Sequence, residues 1–316
     1  MVTGLCSSAR PAAAQGCCSP STTPISALQS GPASSRSIDA GVYYEYYRLR
    51  GNLQGTSDVP DPQDRLSQLH IANFAVGYAP LPRIGFRAIL PVARRSREQT
   101  LSTPTVQQRD ELTGSGLGDI SLLAQGRILP LRGIRPFDAS LGVGVKLPTG
   151  GNEQQVNGVL LPLDLQPGTG ATDLLLTSYG QYYGWPGWNL FAGHVWRVTG
   201  TSDRGYRFGN ELQVFGGVFR QLGSIWSVTL ETRYRHASAD HRDFGTRVPS
   251  TGNDRVYLAP GSAIKIGARG PSLFATVLIP VYEHVEGTQL GTSLGLNLAL
   301  QTRLSMSGGL TLGSRR

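Results

Sequence analysis

The sequence predicts an all-β fold, a transmembrane antiparallel up-and-down β-barrel of about 12 strands. Three observations carry this. Apolar and polar residues alternate with period two in segment after segment from 38 to 302, so each segment has one aliphatic face and one small, polar, Gly-rich face. Short Pro- and Gly-built turns alternate with long polar connections, the layout of a barrel with one short rim and one looped rim. No window approaches about 18 consecutive apolar residues, so no helix spans a membrane and only a closed barrel could. Charged residues make up 16% and Gly numbers 41, which argues against a helical protein and against disorder driven by charge.

Taken in order, the chain opens on a segment outside the alternating pattern. Ala12-Ala13-Ala14 before Gln15 looks like a signal-peptidase site, but the residues ahead of it lack an apolar run. Residues 1–14 are therefore read as the remnant of a signal peptide whose true start lies upstream. Residues 15–37, rich in Ser and Pro, are expected to form a flexible periplasmic tail. All three cysteines, Cys6, Cys17 and Cys18, fall before the barrel. Cys17 and Cys18 are the one speculative metal or disulfide-exchange pair, and the tail could dock a periplasmic partner. A lipid anchor at Cys17 is disfavoured, because Gln15 stands where a small residue belongs.

The barrel is expected over 38–304, with a tail at 305–316. Its first strand, 38–50, carries Tyr43, Tyr44, Tyr46 and Tyr47, the start of an aromatic interface girdle. Strands 66–79 and 84–95 join through Pro80-Leu81-Pro82-Arg83. Strands 117–129 and 136–147 form the clearest hairpin. Asp119, Ser121, Gln125 and Arg127 share one face opposite Ile120, Leu122, Ala124 and Ile128, while Asp138, Ser140, Gly142, Gly144 and Lys146 oppose Ala139, Leu141, Val143 and Val145. Strands 170–183 and 188–199 meet at Trp185-Pro186-Gly187, where Tyr182, Tyr183 and Trp188 extend the girdle. Strands 206–220 and 226–238 meet at Leu222-Gly223-Ser224 beside Trp226, and 254–268 and 272–284 at Gly270-Pro271. The last strand, 289–302, alternates Leu290, Thr292, Leu294, Leu296, Leu298 and Leu300 with Gln289, Gly291, Ser293, Gly295, Asn297 and Gln301. Long connections at 51–65, 96–116, 148–169 and 239–253 gather on the other rim. This arrangement puts the N-terminus and short turns in the periplasm and the long loops outside.

The residues Gly116-Leu117-Gly118-Asp119, Lys146-Leu147-Pro148-Thr149-Gly150 and Pro167-Gly168-Thr169-Gly170 carry a family resemblance. So do Thr251-Gly252-Asn253 and Leu258-Ala259-Pro260-Gly261. With them the chain resembles the outer-membrane family named for the meta-pathway of phenol degradation. The resemblance implies a channel or transporter-like barrel in the bacterial outer membrane, surrounded by its lipid, for small organic compounds. One departure is the end of the chain, LTLGSRR, where outer-membrane barrels usually close on an aromatic residue.

The net charge of +8 comes almost wholly from arginine, with Lys146 and Lys265 the only lysines. The arginines are dispersed over turns, loops and polar faces, so no nucleic-acid partner is expected. The polar faces place Glu45, Arg87, Asp119, Arg127, Asp138, Lys146, Asp173, Arg197, Arg207, Glu211, Glu231, Arg233, Arg235, Arg255 and Lys265 along the lumen. Such residues either line a pathway for anionic or aromatic-acid solutes or form a salt-bridge network that fills a narrow barrel. An alternative is a lipid hydrolase using outward-facing His236 and Ser238, with Asn253 orienting the base. It resembles outer-membrane phospholipase A, but the Asn-Gly that follows that family's serine is missing. A structural or docking barrel is a third reading. The remaining histidines are isolated, and no Gly-rich stretch opens a helix, so neither a metal site nor a cofactor is expected.

Overall fold

The computed structural model describes residues 25–28, 36–102, 107–129, 136–243, 245–267 and 270–305. Its strands are β1 (Ser37–Gly55), β2 (Leu66–Leu81), β3 (Ile84–Ser102), β4 (Gln107–Leu117), β5 (Ser121–Leu129), β6 (Phe137–Lys146), β7 (Asp173–Trp185), β8 (Trp188–Val198), β9 (Glu211–Leu222), β10 (Trp226–Ala237), β11 (Asn253–Lys265) and β12 (Ser272–Ser305). Neighbours in the wall pair antiparallel. β12 returns to β1 in a register running from Ser37↔Ser305 to Gly55↔Val285, which closes the cylinder. Eleven strands form this closed sheet; β4 and a short strand, Ser57–Val59, are bonded outside the cycle.

Two of these elements change partners along their length. β12 is 34 residues long. Its first half pairs with β11 up to Asn253↔Val285, and its second half pairs with β1. The change falls at Glu286-Gly287, where Gly287 has φ 68°, and Gly295 packs against Leu278. β12 therefore doubles back and fills two places in the wall, so the expected 272–284 and 289–302 are two limbs of one continuous element. β3 does the reverse. Its first part pairs with β5 and its second part with β4, so β4 and β5 succeed each other along one line with a break at Gly118, Asp119 and Ile120.

Side-chain alternation follows the wall. On β2, Phe74 (47% exposed) and Val76 (54%) point outward, while Asn73 (1%) and Ala75 (5%) point inward. No helix of the described residues is long and apolar enough to cross a membrane, and an outward belt of exposed Val, Leu, Ile and aromatic side chains encircles the barrel. Two apolar clusters lie inside. One gathers Tyr47, Leu49, Leu69, Ile71, Ala93, Tyr257, Ala259, Leu278 and Leu290. The other surrounds a short helix, α1 (Ile25–Leu28), with Tyr43, Ala75, Ile89, Leu123, Leu175, Val195, Phe215 and Ala299.

Several expectations are corrected. Residues 25–28 belong to the expected free tail, yet α1 sits within the barrel with Ala27 and Leu28 buried. Cys6, Cys17 and Cys18 lie outside the described residues, as does the turn at 130–135. The expected loop 96–116 is mostly a continuation of the wall, β3 to β4, because Val92 to Ser102 finds a partner strand. The strand expected at 206–220 begins only at Glu211. Tyr206 and Arg207 pair instead with His241 and Arg242 in a small sheet above the rim, and the Asp240 carboxylate draws the chain aside by accepting from Gly209 N at 2.7 Å. Tyr43 and Tyr47 are buried inward, outside the girdle. Leu290 also turns inward, because register shifts between Arg48 and Asn52 move the end of the last limb off simple alternation.

Candidate functional site in the barrel interior

The interior is organised from Asp119, at the break between β4 and β5. Its carboxylate accepts from Gly150 N at 3.0 Å, Thr169 N at 2.9 Å, Thr169 Oγ1 at 2.7 Å and Lys146 Nζ at 2.6 Å. Three sequence corners thus meet on one side chain: the GLGD of 116–119, the KLPTG of 146–150 and the PGTG of 167–170. Glycine is required where they cross. A Cβ on Gly150 would lie 2.7 Å from Gly118 C and 2.8 Å from Gly168 Cα, and one on Gly168 would lie 2.5 Å from Gly150 C.

From this hub a band of ion pairs runs along neighbouring strands. Lys146 also reaches Asp173 (3.2 Å); Arg197 lies 4.0 Å from Asp173 and 3.2 Å from Glu211; Arg235 lies 3.3 Å from Glu211. Arg235 donates to Asn253 Oδ1 at 2.6 Å, and Asn253 Nδ2 to Gln289 Oε1 at 3.2 Å. Arg255, fully buried, sits 3.3 Å from Glu283 and donates to Thr292 Oγ1 at 2.8 Å. Register makes the band: Lys146 stands opposite Asp173, and Arg197 opposite Glu211.

Two segments enter the lumen from opposite ends. From the looped rim, the connection between β6 and β7 folds inward at the 3-10 turn Leu163–Leu165, burying Leu161 and Leu165. Arg95 Nη1 donates to Asp164 O at 3.1 Å, and Arg97 pairs with the Asp164 carboxylate. Gln166, fully buried, accepts from Gln154 N at 2.9 Å and donates to Gln154 O and Leu161 O. Burial pushes the Asp164 carboxyl above its ordinary value, outweighing the opposite pull of Arg97 and Arg95. The loops above are joined by Asp240, which accepts from the Tyr206 hydroxyl and whose carboxyl burial also raises. From the short-turn rim comes α1. Ser26 Oγ donates to Glu45 Oε1, and Arg87 Nη1 donates to Ala27 O at 2.5 Å.

Between α1 and the short-turn rim is a chamber of about 290 Å³. Tyr43, Tyr179, Phe191, Phe219 and Phe274 form its aromatic wall, and Gln181, Asn189, Asn297, Glu231 and Arg233 its polar one. Arg233 Nε donates to Glu231 Oε1 at 2.9 Å, while Arg233 Nη1 and Asn297 Oδ1 are buried with no hydrogen-bond partner.

The structure brings Asp119, Lys146, Asp173, Arg197, Glu211, Arg235 and Arg255 into the band, and Glu45, Arg87, Glu231 and Arg233 beside the helix and chamber. Arg127 and Asp138 pair at 3.2 Å between β5 and β6. Two residues expected in the lumen are not there. Arg207 is exposed in the loop sheet, and Lys265 is exposed at the end of β11. Arg95, Arg97, Asn73, Glu283 and Asn297 were missed, although all but Glu283 are buried and Arg95 and Arg97 continue the inward parity of Arg87.

The outward His236 and Ser238 do not meet as a base and nucleophile. His236 Nδ1 lies 2.8 Å from Asp254 Oδ1, which also accepts from Tyr234 OH at 2.6 Å, and Ser238 Oγ is directed to Asn210 O at 3.4 Å. Asn253, expected to orient the histidine, points into the barrel; its neighbour Asp254 takes the outward place. Among the described residues no cluster of His, Cys, Asp and Glu could hold a metal ion.

No family model and no curated protein matches this chain. Solved structures do. An outer membrane channel from Pseudomonas putida F1 aligns at TM-score 0.66 and 12% identity, covering 87% of this chain and 97% of that one. The CymD monoaromatic hydrocarbon channel aligns at 0.44 and 8% identity over 90% and 91% of the two chains. A Pseudomonas aeruginosa FadL homologue aligns at 0.43 and 10% identity over 85% and 90%. The first likeness, with the closed antiparallel wall and the outward apolar belt, shows the fold: this chain is a closed antiparallel β-barrel similar to that channel.

Proposed function

We propose that the chain is a channel of the bacterial outer membrane for small organic solutes, in particular aromatic ones bearing a hydroxyl group. The chamber carries this reading. Its aromatic wall offers a face to a ring, and the amide side chains of Gln181 and Asn189 line it beside that wall. An amide both donates and accepts, so it can pair with a hydroxyl in either direction, which a hydrocarbon cannot do. Anion preference is less supported, because Arg197, Arg235 and Arg255 of the band are ion-paired. The inward loop and α1 make the resting barrel narrow, so passage involves displacement of one or both.

Planar-bilayer recording of the refolded full chain tests this. Discrete openings are expected, with reversible block by 4-hydroxybenzyl alcohol that weakens in Phe219→Ala. Openings indifferent to that solute would remove the aromatic assignment. No openings in Arg87→Ala with Ser26→Ala, which removes both of the hydrogen bonds described for α1, would remove the channel. The hydrolase reading finds no support in the direction of the Ser238 hydroxyl; Ser238→Ala is expected to leave any lipid hydrolysis in the preparation unchanged.

A further inference from the structure

At the looped end of the barrel the outward face changes character abruptly on three adjacent strands. Nearer the short turns, Val42 on β1, Phe74 and Val76 on β2, and Phe86 and Val92 on β3 are exposed and apolar. Beyond them the outward positions become Arg48 on β1, His70 on β2 and Arg94 on β3. Register sets them side by side: Arg48 opposes Gln68, two residues from His70, and His70 opposes Arg94. Aromatic groups pack into this corner. Tyr44 OH lies 2.7 Å from His70 Nδ1, and the Tyr46 ring is 4.8 Å from the His70 ring. The nearby carboxylates are engaged elsewhere. Asp64 pairs with Arg50 at 3.0 Å, and Glu98 with Arg109 at 2.8 Å. Among the described residues Arg48 and Arg94 have no ion pair, and Arg48 Nε is buried without a partner.

We propose that Arg48 and Arg94, with Tyr44 and Tyr46 beside them, bind the phosphorylated head group of a glycolipid in the outer leaflet. The proposal rests on the membrane reading above but not on permeation. Two arginines stand where the apolar belt ends, which is the depth of a lipid phosphate. Arginine presents paired N–H donors that match phosphate oxygens, and its stem covers apolar surface below the head group. The acyl chains then lie along Phe74, Val76 and Phe86, so one molecule satisfies both halves of the surface.

The test titrates the refolded full chain in detergent with bisphosphorylated lipid A and with dephosphorylated lipid A, scored by native mass spectrometry. Wild type is expected to bind the phosphorylated lipid roughly tenfold more tightly, and Arg48→Gln with Arg94→Gln to reduce that preference to near unity. Arg220→Gln, an outward arginine at the opposite rim, is expected to keep it. Equal binding of both lipids by wild type would overturn the proposal, as would a preference that survives in the double variant. Displacement of the lipid by inorganic phosphate at matching concentration would reassign the site to soluble anions and also overturn it. Binding is read without a bilayer, so a protein that fails the conductance test can still pass this one.

Discussion

Asp119 shows how much a single side chain can hold. It satisfies two backbone N–H groups, a hydroxyl and an ammonium, and Lys146 and Asp119 are both nearly inaccessible. Asp119→Asn leaves a buried lysine with half its countercharge, which costs about 3 kcal/mol. The expected readout is a lower midpoint for loss of the folded band on heating in SDS, together with larger conductance as the loop loosens. Gly150→Ala attacks the same point sterically, since its Cβ meets Gly118 and Gly168 backbone rather than a movable side chain; it should match Asp119→Asn in both readouts. In the sequence these three corners carried the family resemblance, and Asp119 and Lys146 fell on the lumen face. Their meeting was not, because Thr169 lies 50 residues from Asp119, and no local pattern encodes a contact across that separation.

At the scale of elements, the inward loop and α1 are the parts of the interior that do not belong to the wall. Residues 163–165 are held by Arg95 and Arg97, so Arg97→Ala is expected to loosen the loop and raise the conductance recorded in a planar bilayer. The sign of the pH effect follows from Asp164. Its carboxyl is raised by burial above the ordinary 3.8, so the seated loop gains stability that is complete below the ordinary value and is lost as pH rises through the raised one. Conductance is therefore expected to fall on acidification, and Asp164→Asn to flatten that dependence in a pH series. Neither element was legible beforehand. Period two reports which face of a strand points inward, not which segment fills the inside. The cue available was on the strands themselves: Leu123, Leu175 and Phe215 sit on otherwise polar faces, and apolar side chains in a lumen imply an apolar guest.

For the whole molecule, alternation, turn chemistry and loop lengths together were sufficient to read the barrel, because each depends on only a few adjacent residues. The places where they misled are those where the wall is irregular. The bulged end of β1 turned Leu290 inward, and the Asp240 anchor delayed β9 to Glu211. The joint between β1 and the end of β12 has a consequence for how the protein forms. Its partners are the two extremes of the described sheet, and Arg303 clasps Asp39 across 264 residues of chain. A nascent polypeptide can assemble every hairpin between them yet still present two raw edges, because the mate of β1 emerges after the other strands of the described wall. Maturation should therefore show a late, concerted step that a chain cut after residue 286 never takes, leaving a species whose first strand remains sensitive to protease.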